Sequence, residues 1–208
     1  MRLISKNDNI SWTEFLMNKY QKNINWQNLS YNPNAEISIE YLENNLDKLD
    51  MHGVSRNKKI TWSDELISKY ENELNFSNYG LSWNDTLPWN KELIDKYRNK
   101  WSWSGISSNY GIPWTEEMLD YFSDELIWGR NDNINQGSAD ASHRRNGFCL
   151  SNNSSLPWSL EFIDKYKDRF REHSSNKGIW EKVLKPILTD EKVLKIIKEE
   201  RKRTPNKA

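Results

Sequence analysis

Cys149 and His143 are the pair in this chain that comes nearest to a nucleophile and its base, six positions apart with Asp140 close by. A thiol nucleophile needs a base within hydrogen-bond reach and a third group to orient that base. Spacing alone fixes neither, and a lone cysteine is more often buried and inert. The sequence is therefore read as that of a non-enzyme. Metal binding has less to stand on, because His52, His143 and His173 are far apart and no Cys/His cluster has zinc spacing. No Walker A or dinucleotide-binding glycine pattern occurs, and no cofactor is expected.

Binding has better candidates. Arg130, Arg144 and Arg145 share with His143 a polar stretch, about residues 129–149, that is too poor in apolar residues to fold alone. A guanidinium fork matches a carboxylate or a phosphate with two parallel hydrogen bonds. These residues suit an acidic face of a protein partner. A nucleotide or other small acidic ligand is the alternative, and a surface loop without a role is the third possibility. Trp83 is a separate candidate contact, because it falls outside the regular apolar positions of the chain. The residues aligned with it, Tyr31, Arg56 and Ser108, are not uniformly apolar. The partner-binding set expected from the sequence is Arg130, His143, Arg144, Arg145 and Trp83.

Bulk charge narrows the partners. Thirty Lys and Arg balance thirty Asp and Glu, which argues against a generic nucleic-acid or membrane-surface binder. A single cysteine cannot form an internal disulfide and fits a reducing compartment. The first eight residues hold no apolar run of signal-peptide length, and no stretch is long enough to span a membrane. A cytoplasmic protein with no membrane partner is expected. Mean hydropathy is −0.96, so the 11 tryptophans must supply much of the core, each burying on the order of 150–250 Å².

A repeated phrase must position all of these residues. Its lead positions are Trp12, Ile37, Trp62, Trp89, Trp114 and Trp158. A period of about 25 residues marks a stacked array. The next residue is Thr13, Ser38, Ser63, Asn90, Thr115 or Ser159, each a good helix N-cap. The lead then pairs with position 5 (Met17, Leu42, Ile67, Ile94, Leu119 or Ile163) as a hydrophobic staple across the cap. Apolar residues at positions 4, 5, 8 and 12 predict a helix of about three turns. Lysines at position 7 (Lys19, Lys69, Lys96, Lys165) are expected to pair with glutamates four residues earlier, as Glu65, Glu92 and Glu161 allow.

A second phrase, Leu-Ser-x-Asn, ends five residues before each next lead, as in Leu81-Ser82-Trp83-Asn84. It predicts a short helical turn and then an Asn-stabilised turn. Trp180 looks like a seventh lead, stopped by Pro186. Thr189 should cap a last helix, Asp190 to about Arg203, whose apolar face (Val193, Leu194, Ile196 and Ile197) is expected to lid the stack. The array has one break. Trp114 and Trp158 stand 44 residues apart, so about 19 are inserted after Trp128, and insertions in such arrays often mark the binding face.

The composite phrase Leu-Pro-Trp-Ser-x-Glu-Leu-Ile-x-Lys-Tyr, then Trp-x-Trp, then Leu-Ser-x-Asn, resembles tandem Trp-rich repeats in uncharacterised proteins of bacteria and their viruses. The resemblance covers residues 4 to about 172. It implies an architecture but no catalytic residue or ligand, and a virus-encoded inhibitor of a host defence protein is one role open to such a chain. The expected fold is all-α: a short α-solenoid of about six 25-residue helix-plus-turn repeats within residues 1–188, closed by a C-terminal capping helix and basic tail over 189–208. The expected function is a scaffold for a protein partner.

Overall fold

A computed structural model describes residues 4–129, 149–170 and 176–203. Among these the protein is all-α, and its β-type pairing is limited to one isolated parallel bridge between Trp12 and Ala35. The helices that follow the leads are α1 (Glu14–Lys19), α3 (Ile39–Asn44), α5 (Asp64–Lys69), α6 (Lys91–Lys96), α8 (Glu116–Tyr121) and α9 (Leu160–Tyr166). Between them run the short helices α2 (Trp26–Ser30), α4 (Met51–Val54) and α7 (Trp103–Ser108), with 3₁₀ turns at Ile4–Lys6, Leu81–Trp83 and Leu150–Asn152 in the equivalent places. The chain then forms α10 (Lys177–Ile179), a π-helical turn over Trp180–Leu184, and α11 (Asp190–Arg203).

The caps form as the sequence predicts. Thr13, Ser38, Ser63, Asn90, Thr115 and Ser159 each accept the backbone N–H three residues on, at 2.7–3.4 Å. All six leads are buried, and Met17, Leu42, Ile67, Ile94 and Leu119 are at most 1 % exposed. The helices are shorter than expected, because α1, α3, α5, α6 and α8 stop after six or fewer residues. The chain continues as a hydrogen-bonded turn, in which Leu49, Leu74, Trp101 and Leu126 donate their N–H to the carbonyl four residues back. Position 12 therefore still returns to the core, without the third helical turn.

The Leu-Ser-x-Asn phrases supply the contacts between units. Asn32, Asn57, Asn84, Asn109 and Asn153 are at most 2 % exposed. The amide of Asn84 donates to the carbonyls of Ser55 and Asn57, both at 3.2 Å. Asn109 does the same to Ser82 and Asn84, Asn153 to Ser107 and Asn109, and Asn32 to Ser5 and Asn7. Each side-chain oxygen meanwhile accepts the N–H two residues on, which makes the turn. The phrase serines run the ladder forward: Ser5, Ser30, Ser55, Ser82 and Ser107 accept the N–H twenty residues ahead, at 2.9–3.0 Å. Burying such groups is tolerable only because each finds a partner.

The phrases approach closely where a glycine precedes the phrase's apolar residue, at Gly53 and Gly105. A Cβ on Gly53 would lie 2.7 Å from the Ser30 backbone carbon, and one on Gly105 would lie 2.7 Å from Ser82 Cβ. Cys149 occupies the same place before Leu150. It is buried, with its Sγ 3.1 Å from Ser151 Oγ.

Three expectations are corrected. The position-7 lysines do not pair within their own helices. Lys69 meets Glu43, Lys96 meets Asp64, and Lys165 meets Glu116 and Asp120, each on the preceding unit. Glu65 and Glu161 turn back instead to their own backbone N–H and the capping serine hydroxyl, contacts that hold their carboxyls below the usual range. Trp180 is 48 % exposed and packs as no lead does. The end of the ladder is covered by α10 and the π turn: Asn176 donates to Ser151 O at 2.7 Å, and Gly178 lies against Trp158. Finally, α11 forms, but its apolar face lids none of the described residues, since Val193, Leu194, Ile196 and Ile197 are all exposed.

Candidate functional site

Beside the buried ladder asparagines, several chain neighbours point outward. The residue before the asparagine is Tyr31, Arg56 or Trp83 in three consecutive units, and all three are exposed. The residue after it is Pro33, Lys58, Asp85 or Tyr110, also exposed. Together with Tyr79, these two rows wall an open groove of about 430 Å³ whose floor includes Ser30, Gly53, Gly80 and the ladder asparagines. That volume lies in the range of ligand clefts, about 300–1,000 Å³.

The groove offers flat rings and one guanidinium. Tyr31, Tyr79, Trp83 and Tyr110 keep between 41 % and 57 % of their surface in water. Burial first, and the Asp50 carboxylate second, raise the Tyr31 phenol above its ordinary pKa, so it remains a hydrogen-bond donor at neutral pH. Lys58 and Asp85 form an ion pair at 2.8 Å across two units, so their charges largely offset each other. Arg56 makes no ion pair among the described residues and is the groove's uncompensated charge. Asn78 is fixed at the edge by its exchange of hydrogen bonds with Ser104, at 2.8 and 3.0 Å.

Of the residues expected from sequence, Trp83 lies in this groove. Arg130, His143, Arg144 and Arg145 lie outside the described residues, as does Asp140. Cys149 is 1 % exposed, in a position that takes glycine in three other units (Gly53, Gly80 and Gly105), which gives it a packing role. Among the described residues, no group of three or more His, Cys, Asp or Glu is placed to hold a metal ion, and no helix is long and apolar enough to cross a membrane. Sequence reasoning missed Tyr31, Arg56, Lys58, Tyr79, Asp85 and Tyr110 as members of one surface. The signal was present in the alignment of Tyr31 and Arg56 with Trp83.

A second hollow, of about 260 Å³, lies at the first unit between Ile4, Ile10, Trp12, Leu16, Tyr20 and Ile24. In later units the equivalent side chains, such as Ile60, Trp62, Leu66, Tyr70 and Leu74, are buried. Compared with known proteins, the chain matches no family model, no curated protein and no solved structure.

Proposed function

We propose that the protein is a non-enzymatic helical-repeat scaffold, a short α-solenoid, that binds a protein partner through the groove around Trp83. The observation that carries this is four exposed aromatic side chains and an unpaired arginine on one face of four consecutive units. Tyr, Trp and Arg dominate binding hot spots: the rings bury much area for little lost freedom, and the guanidinium offers a planar fork of donors. The recurring ladder supports the solenoid part of the proposal, since the Asn32, Asn84, Asn109 and Asn153 amides make the same pair of bonds to the preceding phrase, and Asn57 reaches Ala35 O instead.

Capture from native cells tests the groove with the whole chain as bait. Trp83→Ala and Tyr31→Ala should lose a partner that wild type and a Tyr121→Ala control, exposed elsewhere, both retain. Equal retention by all four would reject the groove. Thermal unfolding should show Trp83→Ala within about 0.5 kcal/mol of wild type, as for exposed side chains generally. A nucleotide or small acidic ligand is the second proposal, favoured by Arg56 lying in line with Tyr31 and Trp83. A thermal shift with nucleotides that Arg56→Ala abolishes would support it over a protein partner.

A further inference from the structure

The groove's walls narrow the chemistry of what it takes. We propose that its occupant is a proline-containing, acidic peptide segment of the partner, bound in extended form. This rests on the groove being the partner site.

Shape favours an elongated occupant, because the hollow is open and its lining crosses four units, from Tyr31 to Tyr110. With neighbouring helices about 8–10 Å apart, four units span roughly 27 Å, the length of about eight extended residues. The floor disfavours strand addition. Adding a strand needs a row of vacant backbone donors and acceptors, but the lining carbonyls of Asn57 and Asn84 each already accept two bonds, one from an asparagine amide and one from a tryptophan indole. Recognition therefore falls to side chains. A polyproline-type segment suits this, because it is pre-ordered, docks on aromatic walls, and leaves its carbonyls open to donors such as the Tyr31 hydroxyl.

Charge supplies the acid. With Lys58 held by Asp85, Arg56 leaves the groove one positive charge over, enough to select one carboxylate and set the direction of the segment. A nucleic-acid strand carries a phosphate at each nucleotide and calls for a row of cations. The groove presents one beyond the Lys58–Asp85 pair.

The test is fluorescence polarisation on the full chain with capped, labelled eight-residue peptides. One carries two prolines and a glutamate, a second has lysine for the glutamate, and a third has alanines for the prolines. A labelled oligothymidine of 12 nucleotides is the fourth probe. The first peptide should bind at least tenfold tighter than the other three probes. Arg56→Ala should erase the preference for glutamate over lysine, and Trp83→Ala should weaken the first peptide at least tenfold. Matching circular dichroism would confirm that both variants remain folded. Equal binding of all peptides, no binding of any, or tighter binding of the oligothymidine would overturn the inference. If the peptides fail while Trp83→Ala still loses the captured partner, the groove stands and only the peptide class falls. If Trp83→Ala keeps that partner, the site itself falls.

Discussion

Lys96 meets Asp64 across the gap between α5 and α6, with both side chains about half in water. Asn84 meets Ser55 and Asn57 across the neighbouring turns with everything out of water. The two contacts join successive units of one chain and differ in what they can contribute. An exposed pair gains about 0.2–1 kcal/mol, since water and salt compete for both charges. A buried amide gains little more when its bonds are made, but leaving its partners bare costs about 1–3 kcal/mol each. The surface pairs add little to the contact between units, while the ladder sets its register.

The most damaging way to test that contrast is Asn84→Ala. It strips donors from two buried carbonyls and an acceptor from Thr86. We expect a loss of about 3 kcal/mol, read as a fall in the thermal midpoint of about 6–12 °C for a chain of this size. Gly53→Ala comes next. Its methyl would collide with the Ser30 backbone and the Tyr31 ring, and overpacking of this kind costs about 1–3 kcal/mol in denaturant unfolding. A double-mutant cycle on Lys96 and Asp64 should then give a coupling of about 1 kcal/mol or less that shrinks with added salt. A coupling as large as the Asn84 loss would erase the distinction between the two contacts.

The smallest effect is the acid limb. Asp120 has its carboxyl held below the ordinary value, first by the Tyr166 hydroxyl and then by Lys165. Its contribution is therefore full above the unfolded-state pKa and is lost as pH falls through the lowered folded value. Wild type should lose slightly more stability than Asp120→Asn on acidification from neutrality, measured by urea midpoint against pH. A steeper loss in the variant would contradict that assignment.

Much of the local structure was legible in the sequence, because caps, staples and apolar spacing act within a few residues. The Thr or Ser at position 1 and the apolar residue at position 5 could be placed from their neighbours alone. What sequence spacing missed acts between units. The asparagine of Leu-Ser-x-Asn read as a turn residue, which it is, but its amide reaches a carbonyl 25 residues earlier, and no local rule reports that. The lysines were assigned to the nearest glutamate along the helix, whereas the nearest acid in space belongs to the preceding unit. The amphipathic pattern of α11 correctly predicted a helix, and then suggested a burial that periodicity cannot guarantee. At the groove, Trp83 stood out by failing to fit the apolar positions. Tyr31 and Arg56 share its column, but they gained meaning only when the ladder turned that column outward.

The ladder also measures distance in space and ignores distance along the chain. Asn109 reaches back 27 and 25 residues for its two carbonyls, while Asn153 reaches back 46 and 44 for the equivalent pair, with all four bonds between 3.0 and 3.2 Å. The backbone on either side of the longer span is stitched shut, with Leu150 N donating to Ile127 O and Ser151 N to Trp128 O. Lengthening a span whose ends are already pinned is cheap, about 0.6 kcal/mol for each doubling. The junction between Gly129 and Cys149 is thus a ready-made grafting site, where a foreign sequence can be spliced in or trimmed out while the frame on both sides keeps its shape.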